Sequence, residues 1–148
     1  GHHVGTDLGN GVACLRRLGR IHDIDELIES TVKAHAQNWR LLRAAAELYQ
    51  QIQHHGHIIA GEYHRGPHRG GGKIVNSLER DRVRAMQLMQ QAIPHAREDD
   101  HKTEVADFHQ AFAGMLLYGR GLQESWRLQY LTDLGALPSA VCRRAMTH

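Results

Sequence analysis

Cysteine is nearly absent. The 148 residues hold two, Cys14 and Cys142, one near each end. Two distant cysteines make neither a disulfide framework nor a zinc site. Pairing of the two across terminal helices and two free thiols both stay open, and with them the redox compartment. Long apolar runs are missing as well. No stretch approaches the ~20 residues of a membrane-spanning helix, so no membrane span is expected. Val, Ile and Thr are sparse, and no segment keeps a two-residue alternation for long, so no β-strand is expected. Excess charge of one sign is also lacking. A net charge of +2 is too small to mark a nucleic-acid binder by itself, and nucleic acid is not expected as a partner.

What is present is ordinary globular material. Hydrophobic residues at 41% and charged residues at 23% argue against disorder. The length suits one domain with a sizeable core. Thirteen histidines are unusual, and below about pH 6 they make the chain much more positive.

Helical periodicity dominates the chain. Val12, Leu15 and Leu18 fall at helical spacing. Asp23 and Glu26 form a D-x-x-E capping box before the stripe Ile24, Leu27, Ile28 and Val32, in a helix running to about Ala36. Asn38 caps a third helix with the stripe Leu41/Leu42, Ala45, Leu48/Tyr49, Ile52 and Ile59, expected to end near Gly61 to His64. Gly56 is its weak point. The stretch Arg65-Gly-Pro-His-Arg-Gly-Gly-Gly-Lys73 holds too much glycine and proline for a helix and reads as a flexible basic loop. Asn76 and Glu79 then open a fourth helix with Val83, Met86, Met89, Ala92 and Ile93 inside, ended or kinked by Pro94. Asp99-Asp100 opens a fifth, with Val105, Phe108, Phe112, Met115 and Leu116 buried. After a turn at Gly119-Arg-Gly121, a sixth carries Leu122, Trp126, Tyr130 and Leu131 and closes at Gly135.

The expected fold class is therefore all-α: antiparallel helix hairpins, about six helices joined by short loops. Trp39-x-x-Leu42-x-x-x-Ala46-x-x-Tyr49 and Leu88-x-x-Gln91-Ala92-Ile93-Pro94 echo the tetratricopeptide pattern, stretched by one Gly-rich insertion. The expected domain is single, spanning 1–148, with a core at about 8–135, the basic loop at 62–76 and a tail at 138–148.

Four groups of residues carry candidate chemistry. Gly70-Gly-Gly-Lys73 invites comparison with a phosphate loop, but Pro67 stands where the first glycine belongs and Ile74 replaces the hydroxyl residue. The bland reading is a connector. The functional one is a partner-binding rim of Tyr63, Arg65, His68, Arg69 and Lys73, whose cations meet a carboxylate or an acidic protein surface. His54 and His57, three apart on the expected helix, are candidate metal ligands. A zinc site needs three or four converging ligands, so structural or surface histidine is the stronger reading. Glu47, Glu62, Glu79, Glu104 and Asp107, and the run Glu79-Arg-Asp-Arg82, read as solvated ion pairs. Ser30, Ser77 and Ser125 lack a nucleophile-elbow context. No enzyme activity, cofactor or small-molecule substrate is expected.

Several strings carry a family resemblance: Asn38-Trp-Arg-Leu-Leu42, Ile58-Ile-Ala-Gly-Glu62, His68-Arg-Gly-Gly-Gly-Lys73, Glu79-Arg-Asp-Arg82 and Glu124-Ser-Trp-Arg-Leu-Gln-Tyr-Leu-Thr-Asp-Leu134. Over about 20–138 the chain resembles the N-terminal helical region of large bacterial alpha-2-macroglobulin-like proteins of the planctomycete type. That resemblance implies a periplasmic or secreted parent of the protease-inhibitor kind. Neither cysteine is followed by Gly-x-x-Gln-Asn, so no thioester role carries over to this chain. What the resemblance implies here is a noncatalytic accessory domain. Its partner is a protein, including other domains of the same parent. The alternatives are a free-standing tetratricopeptide-like adaptor or a histidine-mediated metal- or nucleic-acid-binding protein.

Overall fold

In the computed structural model, residues 3–117 are described. They form five α-helices and a three-stranded antiparallel sheet, so the all-α, tetratricopeptide-like expectation is wrong. The expected sixth helix and the tail after Pro138 lie outside the described residues.

Helix α1 spans Val4–Arg17, and a single 3-10 turn at Ile21–Asp23 leads into α2, Ile24–Ala34. Asp23 precedes α2 without capping it through its side chain, and its carboxylate bonds Arg20 instead. The predicted D-x-x-E box therefore does not form. Helix α3 is Trp39–Gln51. Here the cap is as read: the Asn38 side chain accepts from the Leu41 amide at 3.2 Å, satisfying one of the donors that a helix start leaves orphaned.

Helix α3 ends ten residues earlier than its apolar stripe predicts. At Ile52 the backbone turns extended, with ψ at 162°. The chain then makes β1 (His55–Ile59), β2 (Glu62–Arg65) and β3 (Lys73–Asn76), in the order β2-β1-β3. Ala60 and Gly61 both have positive φ, 50° and 83°, which is the two-residue primed turn that suits a hairpin's twist. Gly56 is the strand's centre and not a flaw in a helix. A Cβ there would collide with the His64 carbonyl oxygen and come within 2.8 Å of the Tyr63 ring. Only glycine lets β2 lie this close.

Helices α4 (Leu78–Arg97) and α5 (Lys102–Leu117) complete the described chain. The Asn76 carboxamide accepts from the Leu78 amide at 2.8 Å and so helps start α4. Pro94 lies within α4, whose last turn continues to Arg97.

The core centres on α3, which lies most extensively against α4. Leu41, Leu42, Ala45, Ala46, Tyr49, Leu88, Met89 and Ala92 are sealed from solvent. The alanines let the two helices approach, and Leu8, Val12, Ile24, Ile28 and Phe108 close the core from α1, α2 and α5. The sheet sits at one end of this bundle. Its Val75 is buried, and Gly66, just after β2, lies against Ile21. None of the described helices is long and apolar enough to cross a membrane.

Gly56→Ala should destabilise the domain by about 3 kcal/mol or more, the upper end for overpacking. Urea unfolding followed by circular dichroism measures it. An unchanged midpoint would mean that the β1–β2 approach is not tight.

Candidate functional site

Side chains alternate across a strand, and the register sorts them onto two faces. Gly56 pairs with Arg65 and Val75, and Ile58 with Tyr63 and Lys73, on the face toward the helices. His57 pairs with His64 and Ile74, His55 with Asn76, and Ile59 with Glu62, on the opposite face.

The inner face is organised by Arg65, whose side chain is 0% exposed. Its Nε and Nη2 donate to the two Asp25 oxygens at 2.6 and 2.9 Å. Its Nη1 and Nη2 donate to the two Asp81 oxygens at 2.8 Å each. The Gln53 carbonyl accepts from Nη1 as well. The planar guanidinium thus bridges two carboxylates, a geometry that a lysine cannot reproduce. Ser77 donates to Asp81 at 2.9 Å, and Tyr63 donates to Ser77 at 2.9 Å. His54 Nδ1 lies 2.8 Å from Asp81 Oδ2, and its Nε2 faces the Gln50 carbonyl at 3.3 Å. Arg80 reaches both Asp25 and Asp81 and lies over the Tyr63 ring. Two arginines therefore balance two aspartates.

Burial disfavours charge on both Asp81 and Arg65, and their mutual hydrogen bonds and attraction outweigh it. The Asp81 carboxyl is held below the usual range and the Arg65 guanidinium above it. Two smaller clusters tie the helices together. Glu29 binds Arg84 at 2.7 and 2.6 Å and accepts from Tyr49 at 2.7 Å. Burial first, then Glu29, push the Tyr49 hydroxyl's ionisation far upward. Asp99 takes Arg40 at 2.6 Å and the Trp39 indole at 2.9 Å, and the Arg40 bond holds its carboxyl well below the usual range.

The sequence-predicted rim is split by this arrangement. Arg65 is buried and Tyr63 half-buried, so neither forms an exposed rim. His68, Arg69 and Lys73 are exposed as expected. His68 leans on His57, ring centroids 5.9 Å apart. His54 and His57 do not share a helix face. His57 lies within β1 and His54 just before it, three residues apart, so they point to opposite sides, His54 to Asp81 and His57 to the Gly66 carbonyl at 3.1 Å. Among the described residues no group of three or more His, Cys, Asp or Glu is placed to hold a metal ion. Asp81, read as part of a solvated charge run, is buried. Asp25, Ser77 and Asp81 are the residues that sequence reasoning missed. The available signal was Arg65 at the inward beat of a Tyr-x-Arg alternation.

Chemically, both aspartates are occupied by arginine. An open groove of about 370 Å³ lies elsewhere, lined by Gly5, Trp39, Arg43, Glu47 and Asp107. Cys14 is free and exposed, and Cys142 lies outside the described residues. No protein-family model, curated protein or solved structure matches the chain.

Asp81→Ala strands the buried guanidinium of Arg65 beside a single remaining carboxylate. A loss of about 3–5 kcal/mol is expected in urea unfolding. The pH dependence has a definite sign. Asp81 and Glu29 both have depressed carboxyls in the fold. Their stabilisation is present above about pH 4, where free carboxyls ionise, and is lost as pH falls through the lower folded values. The urea midpoint should therefore drop below about pH 4, and drop less steeply in Asp81→Asn. An equally steep acid limb in that variant would remove Asp81 from the account.

Proposed function

We propose that this domain is a noncatalytic interaction or scaffold module whose contact surface is the outer face of its sheet, with the loop between β2 and β3. One observation carries this reading. The inner face satisfies its charges internally around Arg65, while the outer face presents His55, His64, His68, Arg69 and Ile74 to solvent. Ile74 is 73% exposed, an apolar side chain among cationic and titratable neighbours. Aliphatic and cationic groups side by side suit a protein surface, with apolar contact in the middle and charge at the rim. The resemblance to macroglobulin-like proteins adds a setting: an accessory domain at the front of a larger protease-inhibitor-type chain, exported with it. The alternative is a free-standing adaptor.

The test uses the protein in its own cells. After in-cell cross-linking, the wild-type chain should give a discrete higher-mass band. A His64→Asp, Arg69→Glu, Ile74→Asp variant with an unchanged melting temperature should lose that band. Retention of the band would move the contact surface elsewhere. An antibody to the domain separates the two settings on a denaturing blot. A band far above ~100 kDa, the scale of a many-domain chain, supports the macroglobulin-like parent. One near 16.7 kDa supports the adaptor.

A further inference from the structure

The hydrogen-bond parity of β1 is set at both ends. The Gly66 amide donates to the His55 carbonyl at 2.9 Å, and the Ser77 amide donates to the His54 carbonyl at 2.8 Å. Odd positions of β1 therefore exchange backbone bonds with β2, and even positions with β3. On β3 the partners of β1 are Lys73 and Val75. The N–H and C=O groups of Ile74 and Asn76 then point away from β1, to the sheet's free edge. Among the described residues no fourth strand covers that edge. The opposite edge differs, because Gly66 at the end of β2 lies against Ile21 of the 3-10 turn. An uncovered edge is a template for another extended chain.

The side chains along β3 decide which chain fits. Ile74 in the strand and Leu78 just beyond it are both exposed, so the edge has an apolar middle. Fixed charges are sorted by sign along its length. Lys73 opens the strand and Arg69 stands on the loop leading to it, both exposed. Glu79 follows in the first turn of α4, also exposed. The other charged groups near that end are committed elsewhere. Asp81 binds Arg65 and Arg80, and Arg82 donates to the Leu116 carbonyl. Glu62 lies two strands over, on β2. The edge is therefore cationic where it starts and anionic where it ends. Cations and anions balance, so a partner of uniform charge gains nothing here. Its complement is a strand with the same order of charges, run antiparallel, and this chain carries such a strand itself.

We propose that β3 pairs antiparallel with β3 of a second copy of this chain, about a two-fold axis at Ile74, joining the two sheets into one. Main-chain bonds at an edge give affinity, and side chains set the preference. In this register the two Ile74 residues exchange main-chain bonds, and each Asn76 faces Gly72 of the other copy. The Ile74 side chains lie next to each other on the outer face, an apolar cross-strand pair. Lys73 and Arg69 of one copy come to the α4 start of the other, beside its Glu79. The space around Gly71 is open and leaves room for that helix start. Like edges paired about a two-fold cover each other, so assembly stops at the dimer. This rests on the interaction-module reading above and names the partner of that same surface.

The test is sedimentation equilibrium of the purified full chain, from about 1 μM to about 1 mM, the span of moderate to weak affinities. The mass should rise from 16.7 kDa to twice that and no further. Ile74→Pro removes an outward N–H and leaves the β1–β3 bonds in place, so it should weaken the dimer by about tenfold or more. Lys73→Glu and Glu79→Lys each set like charges against one another across the two-fold. Each alone should weaken self-association by about fivefold. Mixed together, the two single variants should form a heterodimer as tight as the wild-type dimer, a result that a merely structural role for either residue would not produce. Should Ile74→Pro fold poorly, amide exchange on the wild-type chain answers in its place: dilution must speed exchange at Ile74 and Asn76. A monomer throughout the range, a dimer indifferent to these variants, or no recovery on mixing overturns the proposal. If the purified chain stays monomeric while the surface variant still loses its cross-linked band in cells, self-pairing falls and the interaction reading stands. If neither behaves as expected, both fall.

Discussion

Moving a guanidinium from water into a protein interior carries a penalty of several kcal/mol, and only a nearly complete set of acceptors offsets it. Arg65 has such a set: two carboxylates, a carbonyl and a hydroxyl. The acceptors come from separate places in the chain. Asp25 belongs to α2, Gln53 to the segment leaving α3, and Ser77 and Asp81 to the start of α4. Each piece is positioned by helix packing, so the cluster can form only when the bundle has formed. The bundle's open end is in turn closed by the strand that carries Arg65. A pair of this kind adds little net stability over an apolar substitute, but it penalises every wrong arrangement heavily. A one-residue slip of β2 would send Arg65 to solvent and leave Asp25 and Asp81 facing each other with Arg80 alone between them.

The outer face follows from the inner one. Once Arg65 and Tyr63 are committed to the helices, alternation leaves His64 and Glu62 no other side. His55 and His57 are placed the same way through Gly56, the residue that cannot carry a side chain at this approach. The histidine-bearing surface is thus geometrically tied to a buried ion cluster. That coupling explains why exposed residues of quite different kinds end up together: they share the parity opposite to Arg65.

Much of the helical framework was legible in sequence. Asn38 capped α3 as read, and the stripes through Leu41/Leu42 and Ala45 and through Met89 and Ala92 are buried where periodicity placed them. The strands were not legible, for a physical reason. Strands of four and five residues hold too few positions for alternation to emerge, and β1 begins with two histidines around a glycine. Ile52 and Ile59 fit the helical stripe of α3 by spacing alone, so periodicity extended the helix through them. The charge cluster was hidden for a different reason. Glu79-Arg-Asp-Arg82 satisfies helix-start electrostatics by itself, and nothing local tells which of its carboxylates a distant arginine will claim.

The end of α3 is where these two failures meet. Local preference alone does not stop a helix at Gln51, and Gly56 would lower its stability by only about 1 kcal/mol. Had the helix run on to Gly61, it would end about 15 Å of helix axis beyond Gln51, at 1.5 Å per residue, and carry Arg65 away from the bundle. Asp25 and Asp81 would then share the bundle end without it. Asp81, buried, and Asp25, partly buried, with Arg80 alone between them, stand against nearly three turns of exposed helix, and the charge left unpaired favours unwinding. The hairpin returns Arg65 to the bundle, and the two-residue turn at Ala60-Gly61 is short enough to do so within the chain available. In this protein a long-range ion cluster, and not local propensity, decides which residues become strand.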